Sequence, residues 1–134
     1  MKIEIARLDD HLLMEATNED GHRVLLDGTT KAMRPMQLVL SALGSCSTID
    51  VVLILKKQRE PIEDIKVVIE GERHEDQVPK IFKKINVHYI ITGNVAEAKA
   101  KRAIDLSMDK YCSVSKMLEP TVEITSSFKV VSGE

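Results

Sequence analysis

Residues 35–60 read PMQLVLSALGSCSTIDVVLILKKQRE, and this stretch decides the architecture. Pro35 suits a first helical turn, where its missing N–H would have had no partner. Lys56, Lys57 and Arg59 complement the negative end of a helix dipole, and Pro61 stops the run. The pattern predicts a helix over about residues 35–59. It is apolar nearly all the way round, and such a helix has to be buried on every side. A single small sheet covers one side only, so the expectation is a sheet on one face and a second copy of the chain on another, in an obligate homodimer. Asp50 would be costly at a bilayer centre, which argues against a membrane span. Gly44 costs about 1 kcal/mol relative to alanine in mid-helix, so something should approach the backbone there. Ser41, Ser45 and Thr48 extend the same small-residue stripe, and the expected neighbour is an alanine-rich second helix.

The flanks supply the sheet. Met1 to Arg7, His11 to Thr17 and His22 to Leu26 alternate apolar and polar residues, and Asn18-Glu19-Asp20-Gly21 between the last two reads as a hairpin. Beyond the helix, Ile65, Val67 and Ile69 form one alternating run. Ile85, Val87, Tyr89 and Ile91 form another, around a Gln77-Val78-Pro79 turn. Asn94 with Glu97 resembles a capping box opening a second helix, along which Ala96, Ala100, Ala103, Ile104, Ser107 and Tyr111 recur at spacings of three and four. Val122, Ile124, Ser126, Phe128 and Val130 close the chain as a strand. The predicted class is α+β with order βββ-α-ββ-α-β, in one domain over residues 1–134.

Composition narrows the function classes. With 134 residues, 43% hydrophobic and 30% charged, the chain is one compact domain or half of an intimate oligomer. Nineteen basic residues stand against 21 acidic ones. They are interleaved, as in Glu97-Ala98-Lys99-Ala100-Lys101-Arg102, so no surface is built to grip nucleic acid or an anionic membrane. The start lacks the continuous apolar block of a secretory signal, and a cytoplasmic location is expected. In a reducing compartment a permanent disulfide is disfavoured, which leaves two inert thiols or a transient redox pair.

The two cysteines are Cys46, in the first helix, and Cys112, in Lys110-Tyr111-Cys112-Ser113-Val114. Free cysteine often only fills a core. His11, His22, His74 and His88 are scattered without zinc-site spacing, so no metal is expected. His88 reads as a polar-face residue of a strand. Gly71 and Gly93 fit no phosphate-binding pattern. Met33 and Met36 are candidates for lining an apolar pocket. Asp50 lies four residues after Cys46 on one helix face. A carboxylate there opposes a thiolate unless it is paired. It is expected to accept a bond from a hydroxyl or backbone donor, the alternative being to anchor an arginine.

Pro35-Met36-Gln37-Leu38, Leu43-Gly44-Ser45-Cys46, Ala103-Ile104 and Lys110-Tyr111-Cys112-Ser113-Val114 together resemble the two cysteine motifs of the osmotically inducible protein C (OsmC) and organic hydroperoxide resistance family. The element order and the cysteine separation match across nearly the whole chain. The resemblance implies an interlocked homodimer, with two central helices wrapped by sheets from both subunits. It also implies a cofactor-free thiol peroxidase that reduces organic hydroperoxides, with Cys46 as the attacking and Cys112 as the resolving cysteine. A dithiol donor, often a lipoyl protein, serves the family as reductant. Peroxidases of the family carry a glutamate after the proline matching Pro35, where it holds a thiolate-supporting arginine; this chain has Met36 instead. Arg7, Arg23 and Arg34 are the candidates for that arginine. The alternative reading is a non-catalytic dimer that binds a small apolar ligand in the same interfacial pocket.

Overall fold

The structure, a computed structural model, describes residues 1–133. It divides into a unit of Met1–Val39 and a larger one beginning at Leu40. The first unit holds β1 (Ile3–Arg7), β2 (Leu13–Asn18) and β3 (Arg23–Asp27) in an antiparallel sheet of that order. The hairpin predicted at Asn18 is present. The Asn18 side-chain oxygen accepts from the amides of Asp20 (3.0 Å) and His22 (2.9 Å), and Gly21 takes a φ of +85° that favours glycine. Ile3, Ile5, Val24 and Leu25 are exposed. Asp27 is buried, and one of its carboxylate oxygens accepts the Thr29 and Lys31 amides at 3.0 Å each, closing the loop ahead of the helix.

Helix α1 runs from Pro35 to Lys57. At its start the Gln37 side chain accepts the Arg34 amide at 2.8 Å, satisfying one orphan donor of the first turn. At its end Arg59 adopts φ +59°, Glu60 N–H donates to Leu55 C=O (2.9 Å) and Arg59 N–H to Lys56 C=O (3.0 Å). This is a Schellman stop with arginine in the left-handed position, and Pro61 follows it as expected. By length and composition α1 is apolar enough to cross a bilayer. Ser47 and Asp50 on it nonetheless have protein partners, described below.

In the second unit β4 (Ile62–Arg73), β5 (Phe82–Gly93) and β6 (Glu123–Val131) form a sheet with β5 central, antiparallel to β4 and parallel to β6. Ile85, Val87, Tyr89 and Ile91 of β5 point inward and are buried, and so are Leu43, Ser47, Val51 and Leu55 of α1. A Cβ on Gly44 would collide with the end of the Ile69 side chain on β4. The close neighbour of Gly44 is therefore the sheet, not the second helix. Ser41 and Ser45 lie exposed on another face of α1, together with Ile49 and Leu53.

The parallel β5-to-β6 connection carries α2 (Glu97–Leu106), a π-helical turn (Ser107–Tyr111) and α3 (Ser113–Leu118). Ala100, Ala103 and Ile104 form the buried side of α2. The expected capping box does not form. Ala96 is the N-cap and makes no side-chain cap bond, while its amide is satisfied by the Glu60 carboxylate at 3.2 Å. Asn94 lies two residues ahead of the observed N-cap, and no side chain caps the first turn in its place. The element order is the predicted α+β arrangement, with the second helix broken into three pieces.

Candidate functional site

Both cysteines belong to the second unit. Cys46 sits on α1 and is half-buried, and Cys112 is buried in the link between the π turn and α3. The fold brings the two cysteines, 66 residues apart in sequence (112 − 46), near enough for the Cys46 thiol to perturb the ionisation of Cys112. Burial pushes the Cys112 thiol up to about 11. The Ser115 amide pulls the other way, and the neighbouring Cys46 sulfur pushes it further up. Cys112 therefore keeps its proton at neutral pH. Its Sγ accepts the Ser115 N–H at 3.4 Å, and its own N–H donates to Ser107 C=O at 2.8 Å. That second bond spans five residues and defines the π turn, a distortion found frequently at functional sites.

Beside the sulfurs runs a chain of polar groups that sequence reasoning did not identify as one. Tyr89 OH and Ser47 Oγ are 2.5 Å apart, Ser47 Oγ and Ser107 Oγ 2.8 Å, and Ser107 donates to the Asp50 carboxylate at 2.9 Å. Tyr89, Ser47 and Ser107 are all 0% exposed. Burial raises the Tyr89 hydroxyl to about 12. The Ser47 bond opposes this, and the charges of Cys112 and Asp50 add to it. Two signals could have found the chain. Tyr89 shares the inward parity of Val87 and Ile91, and a buried tyrosine hydroxyl needs a partner. Ser47 lies on the buried line of Leu43, Val51 and Leu55. For Asp50, the expected bond from a hydroxyl is the one observed.

A groove of about 610 Å3 opens one turn along α1 from Cys46, lined by Asp50, Leu53, Ile54, Arg102, Leu106 and Tyr111 among others. Neither cysteine lines it. The three arginines considered as thiolate partners all lie in the first unit. Arg7 ends β1 and reaches His11 C=O at 3.5 Å, Arg23 lies 3.8 Å from the Glu15 carboxylate across the β2–β3 pair, and Arg34 sits ahead of α1 with its amide bonded to Gln37. His88 faces Ser127 at 2.8 Å on the polar side of the sheet, as its strand position predicted. Among the described residues no group of three or more His, Cys, Asp or Glu is arranged to hold a metal.

Residues 28–127 match the family described as OsmC-like protein. The chain belongs to that family. Its relatives include Protein YhfA of Escherichia coli (strain K12), 49% identical over 115 residues, which are 84% of this chain and 85% of that protein. Two crystal structures share the OsmC-like fold at lower identity. An OsmC like protein from Mycoplasma pneumoniae superposes with a TM-score of 0.83 at 21% identity, over 98% of both chains. An organic hydroperoxide resistance protein OsmC from Legionella pneumophila superposes with a TM-score of 0.73 at 18% identity, over 96% of this chain and 97% of that one. The OsmC-like resemblance carried by the cysteine motifs is thus shown for the family and for the α+β fold.

Proposed function

We propose that this OsmC-like protein is a homodimeric, cysteine-based reductase of organic hydroperoxides. The observation that carries the reading is the asymmetry of the sulfur pair. Cys46 is the more accessible thiol, and Cys112, buried and protonated, is near enough to it for the Cys46 sulfur to raise its pKa. The Cys46 thiolate attacks the distal peroxide oxygen and the O–O bond breaks. This leaves a sulfenic acid on Cys46 and an alkoxide that takes up the proton released by Cys46 and departs as an alcohol. Cys112 sulfur then attacks the sulfenic sulfur. The S–S bond forms, and the expelled hydroxide leaves as water with the Cys112 proton. The two electrons come from the two sulfurs, so no cofactor is required, and a dithiol such as a protein-bound lipoyl group restores the pair.

Dimerisation is supported by surfaces that water should not keep. Ile49 and Leu53 of α1 are 60% and 61% exposed, and Ile3 and Ile5 of β1 are 56% and 61% exposed. Large apolar side chains exposed on each unit in this way mark interaction surfaces. The proposed setting is the cytoplasm, where a transient disulfide can be reduced again. Met36 at the family's glutamate position favours one rival, an OsmC-like dimer that only binds an apolar ligand. Peroxide consumption separates the two. The peroxidase reading expects Cys46→Ser to abolish it and Cys112→Ser to accumulate a trappable sulfenic acid on Cys46. Equal, slow oxidation of both cysteines, at the rate of the denatured chain, contradicts it.

A further inference from the structure

We infer that Ser107 is a positioning residue for the thiol pair, fastening the Cys112 segment to the Cys46 helix through a one-way hydroxyl chain anchored on Asp50. The direction follows from counting protons. An ionised carboxylate only accepts, and a hydroxyl has one proton to give. Ser107 gives its proton to Asp50 at 2.9 Å, so in the 2.8 Å contact between Ser107 and Ser47 the donor is Ser47. Ser47 then has none left, and Tyr89 is the donor in the last link. Each hydroxyl proton is used once, and all point toward Asp50. Among the described residues Asp50 makes no ion pair, so its carboxylate is committed to this chain.

Ser107 acts at both ends of the problem. Its hydroxyl binds Ser47, the residue next to Cys46 on α1, and its carbonyl holds the Cys112 amide at 2.8 Å. In a continuous α-helix that carbonyl would belong to the amide of residue 111. The π turn shifts it by one residue, and Cys112 is the beneficiary. The three hydroxyl-bearing residues are fully buried, so water cannot take over a lost bond without opening the core. This inference rests on the proposed function only for what the pairing serves. The clasp itself is a feature of the reduced fold.

The test compares Ser107→Ala, Asp50→Ala and Asp50→Asn with the parent protein by two measurements that use no peroxide. The first is the equilibrium constant for closing the Cys46–Cys112 bridge against reduced and oxidised dithiothreitol. The second is amide hydrogen exchange across residues 107–115 of the reduced protein, referenced to β5. Losing one buried bond should lower the closure constant about ten-fold in Ser107→Ala and Asp50→Ala and speed exchange in that segment by a similar factor. Asp50→Asn keeps an acceptor for Ser107 and should recover most of both. Should Ser107→Ala fail to fold, Asp50→Ala, at the half-buried outer end of the chain, carries the test. Unchanged exchange in folded variants overturns the clasp, as does an Asp50→Asn variant as impaired as Asp50→Ala. Faster exchange with an unchanged closure constant overturns its role in pairing. A parent protein that closes no bridge contradicts the proposed function, and exchange alone then decides the clasp.

Discussion

Raising the pH should destabilise the reduced protein in two separable steps, because two buried acids hold their protons more tightly folded than unfolded. Cys112 is raised from 9.0 to about 11, chiefly by burial, and Tyr89 from 10.0 to about 12, again chiefly by burial. For both groups the neutral form is the protonated one. Below their unfolded values neither state has lost its proton and the full stability is present. As pH rises through the interval, the unfolded chain gives up its protons first and the balance moves toward unfolding. A shift of about two units corresponds to roughly 2–3 kcal/mol per group once pH passes the folded value. Against a typical domain stability of about 5–15 kcal/mol, this is easily read in urea midpoints of reduced protein over the range from 9.0 to about 11. Cys112→Ser should flatten the lower part of that decline, and Tyr89→Phe the part approaching 12. If Cys112→Ser declines as steeply as the parent, Cys112 is not the buried, protonated thiol described above.

Three further outcomes follow from the geometry. Gly44→Val should cost about 1–3 kcal/mol by overpacking against Ile69. Adding Ile69→Ala should relieve part of that loss relative to Ile69→Ala alone, as a double-mutant cycle of denaturation midpoints would show. Arg59→Gly should stabilise by about 1 kcal/mol in the same assay, since glycine removes the left-handed penalty at φ +59° while keeping the Schellman bonds. At neutral pH a small alkylating reagent should modify Cys46 well before Cys112, because Cys112 is 2% exposed and holds its proton. Peptide mass spectrometry over a time course would show the order.

Much of the fold was legible because its elements carry their own periodicity. The alternation of Ile85, Val87, Tyr89 and Ile91 marks a strand whose inward face is buried, and Pro35 and Pro61 bracket α1, whose predicted end at residue 59 lies two residues past the observed Lys57. What stayed hidden depends on distant partners. Nothing local in Ser107-Met108-Asp109-Lys110-Tyr111 disfavours an α-helix, and the π turn emerges only with the buried bonds of Ser107. Glu60, 36 residues away in sequence, accepts the amide of the Ala96 N-cap, and no side chain takes the cap role expected of Asn94. Gly44 announced a close approach without naming its partner, and β4 rather than α2 fills it. In the site, the two cysteine motifs marked Cys46 and Cys112 as the residues to compare. Ser107 was legible only as a position along the second helix and Ser47 not at all, because a buried serine shows its purpose only when its partner is known.

The account stands on the two sulfurs acting as one redox unit. The direct measurement is to treat reduced protein with one equivalent of an organic hydroperoxide such as cumene hydroperoxide and follow free thiols and peptide masses together. The account predicts that two thiols per chain vanish in a single phase, with one alcohol released and one intrachain peptide pair linked through Cys46 and Cys112. Loss of a single thiol, with Cys46 over-oxidised and Cys112 still free, would contradict it.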